Sequence, residues 1–250
     1  MRKLGSEMAG LYRETWRTYF AWARTLIPLA VIVFVPLGLI HAIPAHAEVQ
    51  NLDFDGGLQI LGIAIAVIAL SAGSLIGEVF YAGAVAIALT HPHEGRPPTL
   101  REVAKMIDYR RLIAVDLIYA AAAAIGFAAL IVPGILVYIY FGLAAPAAEI
   151  EKRTIKGAFR RSLELVRGHF WLVVAVLVPI ELLGNVITGG ALALSHDLIN
   201  DTILDEWFAD TVTNVLFTPF YAVAAVLLTL KLIGDADGRT PGFRPTPPSP

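Results

Sequence analysis

The stretch IEKRTIKGAFRRSLELVRGHFWLVVAVLVPIELLG, residues 150–184, joins a basic amphipathic segment directly to an apolar one. Phe159, Leu163 and Val166 recur at the i, i+4 and i+7 spacing of a helix with one apolar face. From residue 170 to residue 194 the only ionisable side chain is that of Glu181. At about 1.5 Å per residue, this run is long enough to cross a hydrocarbon layer of roughly 30 Å. The stretch therefore predicts a surface helix that continues into a membrane helix.

The composition of the whole chain agrees with a membrane location. Of 250 residues, 57% are hydrophobic and only 16% are charged, and the mean hydropathy is +0.68. A soluble globule of this size needs more polar surface. The absence of Cys excludes disulfides, thiolate metal sites and a Cys nucleophile. The net charge of -2 does not point to nucleic acid, and we expect no nucleic-acid partner.

The apolar runs predict an all-α polytopic membrane protein with one six-helix domain over residues 1–233. The six spans form three hairpins, and each hairpin follows a basic cytoplasmic amphipathic helix. By run length the spans lie at about 25–43, 58–82, 112–131, 135–149, 170–194 and 211–230. Between the second and third spans, Thr99 and Glu102 form a capping-box pattern that predicts a short surface helix. Residues 234–250 are Pro-rich and predict a disordered cytoplasmic tail.

The distribution of charge predicts the orientation of these spans. The nineteen Lys and Arg residues divide as five before span one, five between spans two and three, six between spans four and five, and three after span six. The long loops on the other side are acidic. The positive-inside bias therefore places both termini in the cytoplasm. It also predicts a turn at Pro133 and Gly134, because one crossing through 112–148 would separate Arg111 from Lys152.

Short internal matches predict a repeat. VPLGL at 35–39 matches VPIEL at 178–182 at an offset of 143, and the FYA pattern at 80–84 recurs at 220–224 at an offset of 140. The matches fall in spans one and five and in spans two and six. They indicate a duplicated hairpin whose copies are related by an axis near the membrane normal.

A family resemblance rests on the Pro-Gly hairpin and on the segment that follows it. The residues that carry it are Pro133, Gly134, Ala144, Ala145, Pro146, Glu149, Arg160, Ser162, Leu165, Arg167, Gly168, Phe170 and Trp171. The pattern resembles the membrane domain of bacterial membrane-bound glycerophosphodiester phosphodiesterases and related free-standing uncharacterised multi-pass proteins, over roughly residues 5–235. The last helix ends in LKLI, where relatives have an aromatic-Asp-Arg ending, and a Pro-rich tail follows instead of a phosphodiesterase domain. The resemblance implies the fold and a bacterial inner-membrane location, but not that activity.

Two carboxylates fall inside predicted spans. Glu181 follows Pro179, whose missing N–H leaves a backbone carbonyl unpaired, and Glu78 is its counterpart in span two. A carboxylate at this depth is costly unless it is protonated, hydrogen-bonded or in a wet cavity, so it is a functional hypothesis. The two form either a proton-linked or cation-binding pair, or a structural arrangement. In the structural alternative Glu181 bonds a neighbouring helix through Asn185, and Glu78 lies near the inner headgroups.

The basic cytoplasmic segments are candidates for contact with anionic lipid headgroups. Each Lys or Arg near an anionic surface contributes about 1 kcal/mol, and a role in setting topology is compatible with that contact. The candidate residues are Arg13, Arg17, Arg110, Arg111, Lys156, Arg160, Arg161 and Arg167.

Gly73 and Gly77 form a GxxxG motif, which allows two helix backbones to approach closely. Packing within the chain is one interpretation of this motif. Contact with a second copy or with another membrane protein is the other.

No pattern of an enzyme or of a metal site occurs in the sequence. Walker A, GxSxG and HExxH motifs are absent. Asp53 and Asp55 resemble the opening of a calcium loop, but the loop lacks the third acidic position and the closing Glu. We therefore expect a protein that is not an enzyme and that has no cofactor and no metal site.

Two functions remain open from the sequence. The first is a non-enzymatic membrane scaffold or envelope module that binds anionic lipid or partner proteins. The alternative is a transporter or permease for a small molecule or an ion, with Glu78 and Glu181 as intramembrane polar anchors. The transporter hypothesis predicts that both carboxylates face one polar cavity, whereas the scaffold hypothesis predicts that they point apart.

Overall fold

The computed structural model describes residues 2–46, 77–91, 98–196 and 202–238. Eight helices cover 92% of these residues, and no strand occurs among them. The helices are α1 (Arg2–His46), α2 (Glu78–Thr90), α3 (Leu100–Met106), α4 (Tyr109–Ala129), α5 (Ile131–Phe141), α6 (Ala144–Ile150), α7 (Ile155–His196) and α8 (Thr202–Ala236). Gly73, most of the span predicted at 58–82 and the tail from residue 239 lie outside the described residues.

The structure confirms the all-helical class. Within the described part of the chain, four segments are long and apolar enough to cross a membrane, namely Leu4–Gly38, Val132–Ile150, Ile155–Ala191 and Trp207–Ala236. The second of these combines α5 and α6, so the span predicted at 135–149 is broken between Phe141 and Ala144. The shorter α2 is also apolar. The arrangement of six spans in three hairpins stays a prediction.

Helix α7 contains the stretch that joins basic and apolar sequence. The two parts are continuous, and the helical conformation is interrupted only at His169, where φ is -139° and ψ is 31°. In the basic part, the Ser162 hydroxyl donates to the carbonyl of Tyr140 over 2.7 Å, and Phe159 packs edge-on against Phe141. Because of this kink at His169, the basic part of α7 packs against the end of α5, and the apolar part that follows has a different axis.

Helix α2 lies at the centre of the bundle. Every residue from Tyr81 to Leu89 is buried, and the helix packs against α4, α6 and α8. Five of its thirteen residues are Ala or Gly, and a Cβ added at Gly83 would collide with the side chain of Leu112. A helix that is apolar on all faces is expected inside a bundle. This central position matters for function because α2 carries Glu78 at its first residue.

The start of α2 gives Gly77 a special conformation. This residue precedes the helix with φ +97°, a left-handed conformation that Gly adopts without strain. Gly73 lies outside the described residues, so the packing role of the GxxxG pair stays a prediction. The side chains of Leu37 and Phe34 occupy the space next to its Cα.

The predicted turn at Pro133 and Gly134 is also displaced. The chain leaves helical geometry at Leu130, with φ -171° and ψ 154°, and α4 and α5 pack against each other on either side of it. Pro133 and Gly134 lie in the first turn of α5, where a missing N–H costs no intrahelical hydrogen bond. A Cβ added at Gly126 would lie 2.9 Å from the Cα of Gly134, so both glycines are needed for this close approach.

A buried ion pair joins α4 to α6. The Glu149 side chain is 0% exposed, and one of its oxygens accepts from Nε of Arg111 over 3.2 Å and from an Nη over 2.6 Å. Nζ of Lys152 lies 3.5 Å from the other oxygen. Because both oxygens have a cationic neighbour, the charge of Glu149 is compensated inside the protein.

Tyr12 of α1 supplies a hydrogen bond that Pro179 cannot supply within α7. Pro179 has no N–H for the carbonyl of Ala175, four residues earlier. The hydroxyl of Tyr12 lies 2.9 Å from this carbonyl oxygen and 3.1 Å from that of Val176, and donates to them. The Ala175 carbonyl, which Pro179 leaves without an N–H partner in α7, thus accepts a hydrogen bond from α1.

Replacing Tyr12 with Phe is expected to lower the free energy of unfolding by about 1 kcal/mol, the usual net value of one hydrogen bond. Unfolding by SDS in mixed micelles, followed by circular dichroism, measures the loss. Tyr109→Phe is the control, because that hydroxyl donates to the Ala104 carbonyl in an exposed position. The loss should shrink in a Pro179→Ala background, where the restored N–H can bond Ala175. If Tyr12→Phe lost the same stability in the wild type and in Pro179→Ala, the pairing of Tyr12 with the Ala175 carbonyl would be contradicted.

Candidate functional site

Glu78 and Glu181 line the same cavity. The cavity has a volume of about 190 Å³ and lies between the start of α2, the middle of α7 and the first half of α8. Its lining residues are Glu78, Glu181, Gly184, Asn185, Thr188, Asp210, Thr213, Asn214, Phe217, Thr218 and Tyr221. The sequence had flagged three of these, namely Glu78, Glu181 and Asn185. The structure brings all three together, although Glu78 on α2 is far in the chain from Glu181 and Asn185 on α7.

The Glu181 carboxylate is held in place by neutral hydrogen-bond donors. The hydroxyl of Tyr138 donates to its Oε2 over 3.1 Å, and the side chain of Asn185 is also hydrogen-bonded to it. Tyr221 in turn hydrogen-bonds Tyr138. Because these partners are uncharged, they orient the carboxyl group without supplying a counter-charge.

Helix α8 supplies a ladder of polar side chains to the cavity. The amide nitrogen of Asn214 donates to Asp210 over 2.9 Å, and the hydroxyl of Thr218 donates to the amide oxygen of Asn214 over 3.0 Å. The i, i+4 spacing places these three groups on one face of the helix. Asp210 thereby adds a third carboxylate to the lining.

Asp116 fixes the helix start that carries Glu78. This side chain on α4 is 5% exposed, and its two oxygens accept from the N–H of Gly77 over 2.8 Å and of Phe80 over 3.1 Å. A carboxylate at a helix N-terminus satisfies N–H groups that have no partner within the helix. Asp116 therefore acts as a cap from a neighbouring helix and positions Glu78.

One lining group has an unmet hydrogen bond. Thr213 is 6% exposed, and its hydroxyl has no hydrogen-bond partner among the residues that the structure describes. A buried hydroxyl without a partner is costly, and such groups require an explanation. Thr211, two residues earlier, also has an unpartnered hydroxyl, but it faces Gly38 of α1 and does not line the cavity.

The lining is acidic. Three carboxyl groups line the cavity, and no Lys, Arg or His is among the lining residues that the structure describes. A charged carboxylate removed from water requires a counter-charge or strong hydrogen bonding. The cavity is therefore suited to a cation. Within the described ranges, no three Asp, Glu, His or Cys side chains are grouped so that they could hold one metal ion.

The eight basic residues predicted to contact lipid differ in their surroundings. Arg111 binds Glu149, and Arg161 lies 3.0 Å from Glu151 and 3.7 Å from Asp237. The guanidinium groups of these two residues are engaged within the chain. The remaining six are exposed, namely Arg13, Arg17, Arg110, Lys156, Arg160 and Arg167. Their contact with anionic lipid stays a prediction.

Several site residues were not singled out from the sequence. Asp116, like Glu181, is a lone acid in an apolar run, and this signal could have identified it. Asp210 directly precedes the span predicted at 211–230, in one of the acidic loops that the charge distribution predicts, so its sequence position gave no signal of a site. Tyr138 and Tyr221 gave no signal, since an aromatic residue in an apolar helix is ordinary.

Comparison with known proteins adds no family to these observations. No family model matches the chain, and no match is found among curated proteins or solved structures. The resemblance to the membrane domain of phosphodiesterases therefore remains a prediction from the sequence.

Proposed function

We propose that this protein is a membrane transporter for a small cation, and that the cavity between α2, α7 and α8 is its binding site. The observation that carries the proposal is the shared cavity of Glu78 and Glu181, with Asp210 as a third carboxylate. A scaffold needs no such cavity, and the scaffold hypothesis expects the two glutamates to point apart. An acid-lined cavity between helices is instead typical of an ion or substrate pathway.

The proposed threading places this cavity within the membrane. We propose six crossings of a bacterial inner membrane, with both termini in the cytoplasm, as the distribution of Lys and Arg predicts. On this threading α2 ends at the cytoplasmic side at Thr90. Its 13 residues, at about 1.5 Å each, then put Glu78 roughly 20 Å from that side. Asp210, near the start of α8, lies toward the outer side, so the cavity extends outward from the two glutamates.

The exposed basic residues support a second role that is compatible with transport. We propose that Arg13, Arg17 and Arg160, together with the other exposed basic residues named above, contact anionic headgroups at the cytoplasmic surface. Trp16, on the same helix as Arg13, is 60% exposed, as expected of an aromatic side chain at headgroup depth. This contact would orient the protein in the bilayer.

Cation flux through the purified protein tests the transport function. The protein is reconstituted in proteoliposomes on a solid-supported membrane, and currents are recorded after concentration jumps of Na⁺, K⁺ and alkylammonium chlorides. We expect a current for at least one cation. Glu181→Gln should reduce it by about 100-fold or more, because the change removes a charge that binds the cation inside a low-dielectric site.

Glu164→Gln is the matched control for this experiment. Glu164 lies on the same helix but is 46% exposed and pairs with Arg160, so its replacement should leave the current unchanged. A folded wild-type protein that gives no current with any of these cations would contradict transport. An equal loss of current in Glu181→Gln and Glu164→Gln would show that the cavity is not the site of transport.

A further inference from the structure

We propose that a groove between the start of α1, the kink of α7 and the end of α8 binds one phosphatidylethanolamine molecule of the inner leaflet. This groove, the interfacial groove, has a volume of about 530 Å³. It is lined by Leu4 and Glu7 of α1, by residues 168–172 of α7, and by Lys231 and Asp235 of α8. It shares no described lining residue with the acid-lined cavity. The inference uses the proposed threading and does not depend on transport.

The kink at His169 opens α7 toward the interfacial groove. In a regular helix, the residues of one face are three or four positions apart. Here five consecutive residues, 168–172, line the same groove, and the non-helical conformation of His169 accounts for this. A Cβ added at Gly168 would have no heavy atom of the described residues within 4 Å. The groove is therefore open beside the kink.

The polar wall of the groove brings charges of both signs around one atom. Nζ of Lys231 lies 2.7 Å from a carboxylate oxygen of Asp235 and 3.9 Å from one of Glu7. The three side chains are between 22% and 33% exposed, so a ligand can reach them. An ammonium has three N–H donors, and Asp235 accepts from one of them. Lys231 can thus donate to a further anionic group, while two carboxylates beside one ammonium leave a negative charge in excess.

The headgroup of phosphatidylethanolamine matches this arrangement because it carries a phosphate and a primary ammonium. The phosphate can accept from Lys231, and the ammonium can donate to Glu7 and Asp235, so both pairs are charge-assisted. Phosphatidylglycerol has the phosphate without an ammonium, and the excess carboxylate repels it. The quaternary ammonium of phosphatidylcholine has no N–H with which to donate. The charges of the groove therefore select the primary ammonium.

The apolar wall of the groove lies where the acyl chains of a lipid begin. Phe170 and Trp171 start the apolar part of α7, and their ring centroids are 5.4 Å apart in an edge-on contact. Trp171 is 71% exposed, as expected at headgroup depth. On the proposed threading, Gly168 and Lys231 lie at the cytoplasmic boundaries of the fifth and sixth spans. A lipid whose phosphate binds Lys231 would extend its chains along the apolar part of α7.

Lipid binding measured by native mass spectrometry tests the inference. The purified full chain in detergent is titrated separately with the dioleoyl forms of phosphatidylethanolamine, phosphatidylglycerol and phosphatidylcholine. We expect the first phosphatidylethanolamine to bind about 10-fold more tightly than either of the others, the ratio that corresponds to one hydrogen bond with a charged group. Equal affinities for the three lipids, or tighter binding of phosphatidylglycerol, would overturn the proposal.

Two glycine variants show whether the lipid occupies the groove. Gly168→Leu fills the open space and should weaken phosphatidylethanolamine binding by about 10-fold. Leu is also a better helix former than Gly, so the fold should be retained. Gly10→Leu is the matched control, because the space beside Gly10 on α1 is also open but lies outside the groove. It should change the affinity by less than about twofold. Equal effects of the two variants would place the lipid elsewhere and overturn the proposal.

Two aspartate variants test recognition of the ammonium. Asp235→Asn should reduce the preference for phosphatidylethanolamine over phosphatidylcholine by about 10-fold, because an amide lacks the charge that attracts the primary ammonium. Asp237→Asn is the control. Asp237 is two residues further along and lies 3.7 Å from Arg161, so its replacement should leave the preference unchanged. An unaltered preference in Asp235→Asn would overturn the proposed recognition. Because no flux is measured, these outcomes are separate from the test of transport.

Discussion

Replacing Arg111 with Met is expected to lower the free energy of unfolding by about 3–5 kcal/mol, since breaking a buried ion pair leaves a charge uncompensated. Glu149 is fully buried and would retain only Lys152, whose Nζ is 3.5 Å away and whose side chain is 52% exposed. Most of the loss is the cost of an unpaired carboxylate, not the lost attraction. SDS unfolding in mixed micelles gives the magnitude.

A second substitution separates these two contributions. Adding Glu149→Leu to the Arg111→Met variant removes the stranded charge and should recover most of the lost stability, because a buried pair replaced by apolar side chains is often neutral. The control is Arg160→Ala. Arg160 is 79% exposed in its pair with Glu164, so its replacement should cost about 1 kcal/mol or less. An Arg111→Met loss no larger than that of the control would contradict the account of Glu149.

The second large effect is expected at Asp116. Asp116→Ala leaves two N–H groups at the start of α2 without their acceptor, and each hydrogen bond to a charged group contributes about 1.5–3 kcal/mol. We expect a loss of about 3 kcal/mol in the free energy of unfolding. Cation binding should weaken as well, because the same cap positions Glu78. Asp116→Asn keeps one acceptor oxygen and should fall between the wild type and Asp116→Ala.

The comparison for this prediction is another Asp at a helix start. Asp108 caps α4 by accepting from the N–H of Arg111 over 3.2 Å, and its side chain is 53% exposed. Asp108→Ala should cost about 1 kcal/mol and leave cation binding unchanged. If Asp116→Ala and Asp108→Ala had the same effect on stability and on binding, Asp116 would be an ordinary cap without a positioning role.

The sequence predicted features whose causes are local. The capping box forms as expected, with the Thr99 N–H donating to Glu102 over 2.7 Å and the Glu102 N–H donating to the Thr99 hydroxyl over 3.4 Å. The continuity of basic and apolar sequence in α7 follows from helical periodicity alone. Glu181 could be singled out because one charge in a long apolar run is visible without any tertiary information.

The features that were missed depend on contacts distant in sequence. Asp210 resembled a loop residue because nothing in its neighbourhood shows that α7 and α2 converge on it. The Arg111 and Glu149 pair joins residues 38 positions apart, and many other pairings were equally compatible with the pattern. The sequence predicted the turn at Pro133, whereas the structure has it at Leu130. Pro is a strong turn signal, but it is also tolerated at the start of a helix.

The contact between Tyr12 and α7 also constrains the order of assembly. The hydroxyl belongs to Tyr12 in α1, and the carbonyl of Ala175 in α7 is synthesised 163 residues later. Until then neither group can meet its partner from the other end of the chain. A nascent chain that ends before Ala175 therefore lacks this contact, and the tertiary structure described here is reached only after α7 has been synthesised and has met α1.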